Sequence, residues 1–115
     1  MLIFIYGTLK KAQPNHYILQ GTGPTFIGNV ITVKPVTFDL DGGMYPKLWE
    51  PPGVPSVWEM DGIGKLEGEL WDVPDNRIGV LDRFEGAPDL YYRGTLEVRL
   101  AGETLECQTY FYKGE

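Results

Sequence analysis

Leu96-Glu97-Val98-Arg99-Leu100-Ala101-Gly102-Glu103-Thr104-Leu105-Glu106-Cys107-Gln108-Thr109-Tyr110-Phe111-Tyr112 reads as a β-hairpin at the end of the chain. Leu96, Val98 and Leu100 alternate with Glu97 and Arg99, the period-two pattern of a half-buried strand. Ala101 to Thr104 supplies the turn, and Glu106 to Tyr112 returns as the last strand.

The rest of the chain follows the same idiom. Leu2 to Tyr6 is a short apolar run that stops at Gly7 and reads as a buried strand. Phe26 to Val33 and Val36 to Leu40 are β-rich and separated by Lys34-Pro35. Asp39 to Gly43 is a turn signal. Lys65 to Val73 predicts a further strand. Pro74-Asp75-Asn76 then predicts a helix start, capped by Asp75 or Asn76. Ile78, Leu81 and Phe84 recur on one helical face, and Gly86 fits the stop. Gly79 inside that helix costs about 1 kcal/mol relative to Ala, so packing must hold it. Lys10 to Gln20 reads as a short helix or turn. Tyr45 to Gly64 carries Pro46, Pro51, Pro52 and Pro55 beside Trp49 and Trp58, and reads as a long, stiff, aromatic loop. With 15 Gly and 9 Pro in 115 residues, short strands and many turns are expected. The order is mostly β with one helix late in the chain. The length suits a single domain spanning residues 1–115.

Composition excludes several function classes. The net charge of −6 disfavours a nucleic-acid partner, which would need a basic patch. No apolar run approaches membrane-spanning length, so no membrane partner is expected. The opening segment lacks a basic n-region and an Ala-x-Ala-like site, so a cytoplasmic location is predicted. One Cys (Cys107) and one His (His16) exclude an intrachain disulfide and a Cys/His zinc site built within the chain. Cys107 falls in a predicted strand and reads as core. The single Ser, Ser56, lies outside any nucleophile elbow, which argues against a Ser-His-Asp triad. Asp39, Asp41 and Glu50 trace a calcium-loop spacing, but Met44 stands where that loop needs Gly. No dinucleotide or Walker motif occurs, and no cofactor or metal is expected.

Two segments carry candidate chemistry. Tyr6-Gly7-Thr8-Leu9-Lys10 follows the first strand, and its backbone N–H groups can converge as an anion nest. An ordinary strand-ending turn is the plainer reading of these residues alone. Leu81-Asp82-Arg83-Phe84-Glu85-Gly86 places Glu85 at a helix C-terminus, where the dipole disfavours negative charge and raises basicity. That suits a general base, while the plainer reading is a solvated surface Glu.

Taken in order, these segments together resemble the γ-glutamylcyclotransferase-like superfamily. The resemblance is carried by Tyr6-Gly7-Thr8-Leu9, Gly68-Glu69-Leu70-Trp71-Asp72-Val73, Leu81-Asp82 with Glu85-Gly86, and Tyr91 with Arg93. It is closer to the γ-glutamylamine cyclotransferase branch, through Lys10 followed by Pro14-Asn15-His16 and through Leu90-Tyr91 and Arg93. The ordered motifs cover nearly the whole chain. The resemblance implies an α+β fold: a small, mostly antiparallel β-barrel with a few short helices and a cavity at one end. It implies Glu85 as the acid–base group. It implies substrate binding by Tyr6, Gly7, Thr8 and Leu9, with the backbone amides of residues 7–9 on the α-carboxylate. Tyr91 and Arg93 match a pattern near the cavity and are expected among the substrate-binding residues, with bracing of Glu85 or an acidic neighbour as the alternative for Arg93. Tyr112 matches a recurrent aromatic that fits core as well as site. His16 is expected to be structural.

The implied activity converts a γ-glutamyl compound to 5-oxoproline and a released amine, with a small-molecule substrate and a monomeric enzyme. Relatives often continue beyond the position of Glu115 into an extension that helps close the site, so the Trp49-to-Trp58 loop is the expected wall here. Glu50, Glu59 and Asp61 on that loop predict a preference for γ-glutamyl amines over glutathione. Two alternatives stay open: a non-catalytic binding module on the same fold, and the same chemistry on a specialised γ-glutamyl metabolite.

Overall fold

The computed structural model describes residues 1–6, 23–34, 36–39, 47–49, 62–87 and 89–113. Eight strands and one helix are found among them: β1 (Leu2–Ile5), β2 (Thr25–Thr32), β3 (Val36–Asp39), β4 (Lys47–Trp49), β5 (Gly62–Gly64), β6 (Glu67–Asp72), α1 (Asp75–Glu85), β7 (Tyr91–Leu100) and β8 (Glu103–Tyr112).

Five strands close a barrel in the order β1-β6-β2-β7-β8. Neighbours run antiparallel except at the closing seam, where β1 and β8 are parallel and share the pair Ile3–Gln108. The terminal hairpin is the longest ladder, running from Tyr91–Tyr112 to Leu100–Glu103. Its turn is tighter than the sequence suggests. Ala101 (φ 49°) and Gly102 (φ 86°) make a two-residue turn with both φ values positive, the twist that matches right-handed strands. Thr104, expected in the turn, is paired with Arg99.

The predicted aromatic loop is corrected at both ends. Lys47–Trp49 and Gly62–Gly64 are strands that flank β3 in a three-stranded antiparallel sheet, β4-β3-β5. Three-residue strands carry too short a pattern to be recognised by period. Residues 50–61, including the expected wall and its acidic side chains, lie outside the described residues, as do residues 10–20.

Burial explains why Leu2 to Ile5 is apolar without alternation. Phe4 points into the barrel core with Val30, Leu70, Leu96, Val98 and Phe111. Ile3 and Ile5 point the other way, into a second core with Trp71, Tyr91 and Tyr110, covered by Ile78 and Leu81 of α1. Both faces of the strand are therefore dry. Cys107 is core, and its thiol donates to the Leu96 carbonyl oxygen. Gly68 is required by the close approach of β1 to β6. A Cβ there would lie 2.6 Å from the Ile5 carbonyl oxygen and 2.6 Å from Phe4 Cε1.

Helix α1 begins one residue earlier than expected. Pro74 is the N-cap, without a side-chain cap bond, and Asp75 lies inside the first turn, where its charge suits the dipole. Phe84 was expected in the core beside Leu81 but is 39% exposed. From α1 only Ile78 and Leu81 enter the second core.

Candidate active site

Glu85 is the last residue of α1. Gly86 follows in the left-handed conformation (φ 66°, ψ 34°). The Gly86 N–H donates to the Arg83 oxygen at 3.2 Å, and the Ala87 N–H donates to the Asp82 oxygen at 2.9 Å. These two bonds form a Schellman closure, so the backbone that carries Glu85 is fixed by the glycine that follows it.

The Glu85 side chain is half-buried beside the second core. Burial pushes its carboxyl from the ordinary 4.5 up to about 7. The direction agrees with the sequence reading, with loss of water as the cause. Among the described residues no hydrogen-bond donor or cation pairs with this carboxylate. Its charge reaches two phenols. The hydroxyls of Tyr6 and Tyr110 are both held well above the ordinary tyrosine range, mainly by burial, with the Glu85 charge contributing to each.

Tyr6 leaves the end of β1 and is 7% exposed. Its hydroxyl donates to the Tyr110 carbonyl oxygen at 2.6 Å. Tyr91, from the start of β7, is buried, adds to the electrostatic load on Tyr6, and meets the Tyr112 ring edge-on at 5.5 Å. Lys47 of β4 places its ammonium 5.0 Å from the centre of the Tyr112 ring. The fold thus gathers Tyr6, Glu85 and Tyr91, which are far apart in sequence, around one end of the β1–β8 seam.

Arg93 is placed differently. Its Nε donates to Asp82 Oδ1 at 2.9 Å, so it braces an acidic neighbour of Glu85. The same Asp82 oxygen accepts the Tyr110 hydroxyl at 2.6 Å. The sequence reading missed Tyr110. It sits in a strand without a motif, and only the barrel closure brings it to α1. Gly7, Thr8 and Leu9 lie outside the described residues, as does His16.

Among the described residues, no three His, Cys, Asp or Glu side chains are grouped to hold a metal ion, and no helix is long and apolar enough to cross a membrane. A separate groove of about 410 Å³ lies between β2, β6 and β7, lined in part by Asn29, Glu67, Glu69 and Arg99. It contains none of the predicted site residues.

Comparison with known proteins places this arrangement in a family. The family model described as gamma-glutamyl cyclotransferase, AIG2-like matches residues 3–115. The chain is 32% identical over 120 residues to the gamma-glutamylaminecyclotransferase of Rattus norvegicus, covering 94% of this chain and 75% of the relative. It is 33% identical over 114 residues to that of Bos taurus, covering 94% of this chain and 63% of the relative. The crystal structure of an AIG2-like protein of Mus musculus superposes with a TM-score of 0.80 at 31% identity, covering 97% of this chain and 76% of that one. Matched by this family model from residue 3 to residue 115 and superposable on a relative's structure, the chain belongs to the AIG2-like gamma-glutamyl cyclotransferase family.

Proposed function

We propose that the protein is a γ-glutamyl cyclotransferase acting on γ-glutamyl amines. One observation carries the reading: Glu85 is a half-buried carboxylate among phenols, without a cationic partner among the described residues, where burial pushes its carboxyl up to about 7. A group at that value holds and releases a proton with comparable ease at neutral pH, the requirement for acid–base work in both directions.

The chemistry is intramolecular. The α-amine of the glutamyl group attacks its own γ-carbonyl carbon, and a five-membered lactam closes. Glu85 takes the proton from the attacking nitrogen and delivers it to the departing nitrogen as the γ-amide bond breaks. The products are 5-oxoproline and a free amine. Nucleophile and electrophile share one molecule, so the protein supplies orientation and proton transfer. In this reading the backbone amides of Gly7, Thr8 and Leu9 hold the α-carboxylate, while Tyr6 and Tyr91 form the wall beside Glu85. Arg93 acts through Asp82 rather than on the substrate. Residues 1–115 work as one domain, as a cytoplasmic monomer. The preference for amines is supported by the names of the relatives and by the acidic residues between Trp49 and Gly62.

The test is a substrate panel. Incubation with γ-glutamyl amines, γ-glutamyl amino acids and glutathione, followed by mass spectrometry of 5-oxoproline, should give the highest kcat/KM for a γ-glutamyl amine. A glutathione value equal to or above every amine would overturn the amine preference. Gly7→Val, which places a branched side chain in the carboxylate loop, should raise KM sharply or prevent folding. A folded Gly7→Val variant with unchanged kinetics would remove the loop from carboxylate binding.

A further inference from the structure

Asp82 has no part in the reaction just described, yet the site is built around it. One of its oxygens, Oδ1, accepts both the Tyr110 hydroxyl at 2.6 Å and Arg93 Nε at 2.9 Å. Its backbone oxygen accepts the Ala87 N–H at 2.9 Å. A single residue in the last turn of α1 is thereby tied to β8, to β7 and to the Schellman closure. Glu85 stands three residues on, where side chains of a helix share a face.

We propose that Asp82 is a positioning residue for Glu85: it clamps the last helical turn to β7 and β8 and keeps the Arg93 guanidinium engaged, so that this cation does not pair with Glu85. The proposal rests on the reading of Glu85 as the acid–base group. Folding stability does not account for the ion pair within the clamp: the Asp82 and Arg93 side chains are 28% and 34% exposed, and pairs so placed contribute little to folding. Asp82 holds Arg93 Nε at 2.9 Å, and Glu85 stands three residues on from Asp82 along α1, so Glu85 is the next carboxylate on that helix face for an arginine released from Asp82.

The groups around Glu85 can be named from each element. Tyr6 comes from β1, Tyr91 and Arg93 from β7, and Tyr110 from β8. Lys47 of β4 is drawn to the Tyr112 ring. On α1 itself, Arg83 lies two positions before Glu85 and faces elsewhere. Tyr6 and Tyr110 stay neutral through the physiological range, since burial raises both. Arg93 is the permanent cation among these groups whose pairing Asp82 controls. If Arg93 turned to Glu85, the carboxylate would ionise more readily and become a weaker base.

The experiment is a titration of the Glu85 carboxyl in the full chain by NMR, with ¹³C-labelled glutamate, in wild type, Asp82→Ala, Asp82→Asn and the double variant Asp82→Ala/Arg93→Ala. Wild type should titrate near 7. Asp82→Ala should fall by about one unit or more, the effect of an opposite charge at close range. Asp82→Asn retains an acceptor for Tyr110 and Arg93 but not the neutralising charge, so it should fall in the same direction by less. It carries the test if Asp82→Ala does not fold. The double variant should return toward the wild-type midpoint, a rescue that a purely structural role would not produce. Single variants that titrate with wild type, or a double variant as low as Asp82→Ala, would overturn the proposal. The titration needs no turnover. An absence of 5-oxoproline from every substrate would instead contradict the catalytic reading of Glu85 and leave the titration result standing.

Discussion

The Tyr6 hydroxyl donates to the Tyr110 carbonyl oxygen at 2.6 Å, across the seam where β1 and β8 run parallel. The Thr109 hydroxyl adds a second side-chain bond over the same seam, to the Phe4 oxygen at 3.0 Å. With one Cα pair in register there, these bonds do part of the work that a backbone ladder does elsewhere in the barrel. Tyr6→Phe keeps the ring and removes the donor. Leaving a buried carbonyl without it should cost about 1–2 kcal/mol, read as a lower urea midpoint with unchanged slope. A midpoint equal to wild type would show that the seam does not depend on this bond.

Burial of Glu85 makes a prediction about stability that runs opposite to the usual carboxylate. The folded state holds the proton up to about pH 7, while an unfolded glutamate releases it near 4.5. Between those values the native state binds more protons, so stability falls as pH rises through the window and stays low above it. Glu85→Gln removes the buried charge. It should match wild type near pH 4 and exceed it at pH 8 by between about 1 and 3 kcal/mol. Thermal unfolding at the two pH values checks this. Equal Tm differences at both would contradict a desolvated carboxylate.

Gly68 should tolerate no side chain. Gly68→Ala drives a Cβ to 2.6 Å from both the Ile5 oxygen and the Phe4 ring, and backbone atoms cannot yield as a flexible side chain can. A loss of more than about 2 kcal/mol is expected, as for an overpacked core. A variant with wild-type Tm would mean that β1 and β6 separate easily.

The hairpin turn offers a gain. Ala101 sits at φ 49°, where asparagine is better suited in a turn of this type. Ala101→Asn should raise stability by about 0.5–1 kcal/mol without touching activity, seen as a higher urea midpoint. A lower midpoint would contradict the turn assignment.

Legibility in the sequence followed the strength of local patterning. The hairpin from Leu96 to Tyr112 is readable because Leu96, Val98 and Leu100 alternate, though β7 begins earlier, at Tyr91; α1 is readable because Ile78, Leu81 and Gly86 mark its face and stop. β4 and β5 are not, since three-residue strands have no period to show. Spacing alone predicts Phe84 in the core, and its 39% exposure shows that period does not say how far along the helix the covered face extends. In the site, Glu85 is reached from its motif, but the burial that raises its basicity shows only in the fold. The Asp82–Tyr110–Arg93 cluster joins α1, β8 and β7, and nothing local in any one of them announces the others.

The central claim is that Glu85 moves the proton in lactam formation. The direct test compares 5-oxoproline release from a γ-glutamyl amine by wild type and by Glu85→Gln, each confirmed folded by circular dichroism. Wild type should turn over with kcat/KM rising as pH passes about 7, where Glu85 loses its proton. Glu85→Gln should lose about 10²–10⁴-fold, the usual contribution of an acid–base group. A folded Glu85→Gln variant that keeps more than about half of the wild-type rate would contradict the account, because that loss is far below what an acid–base group supplies.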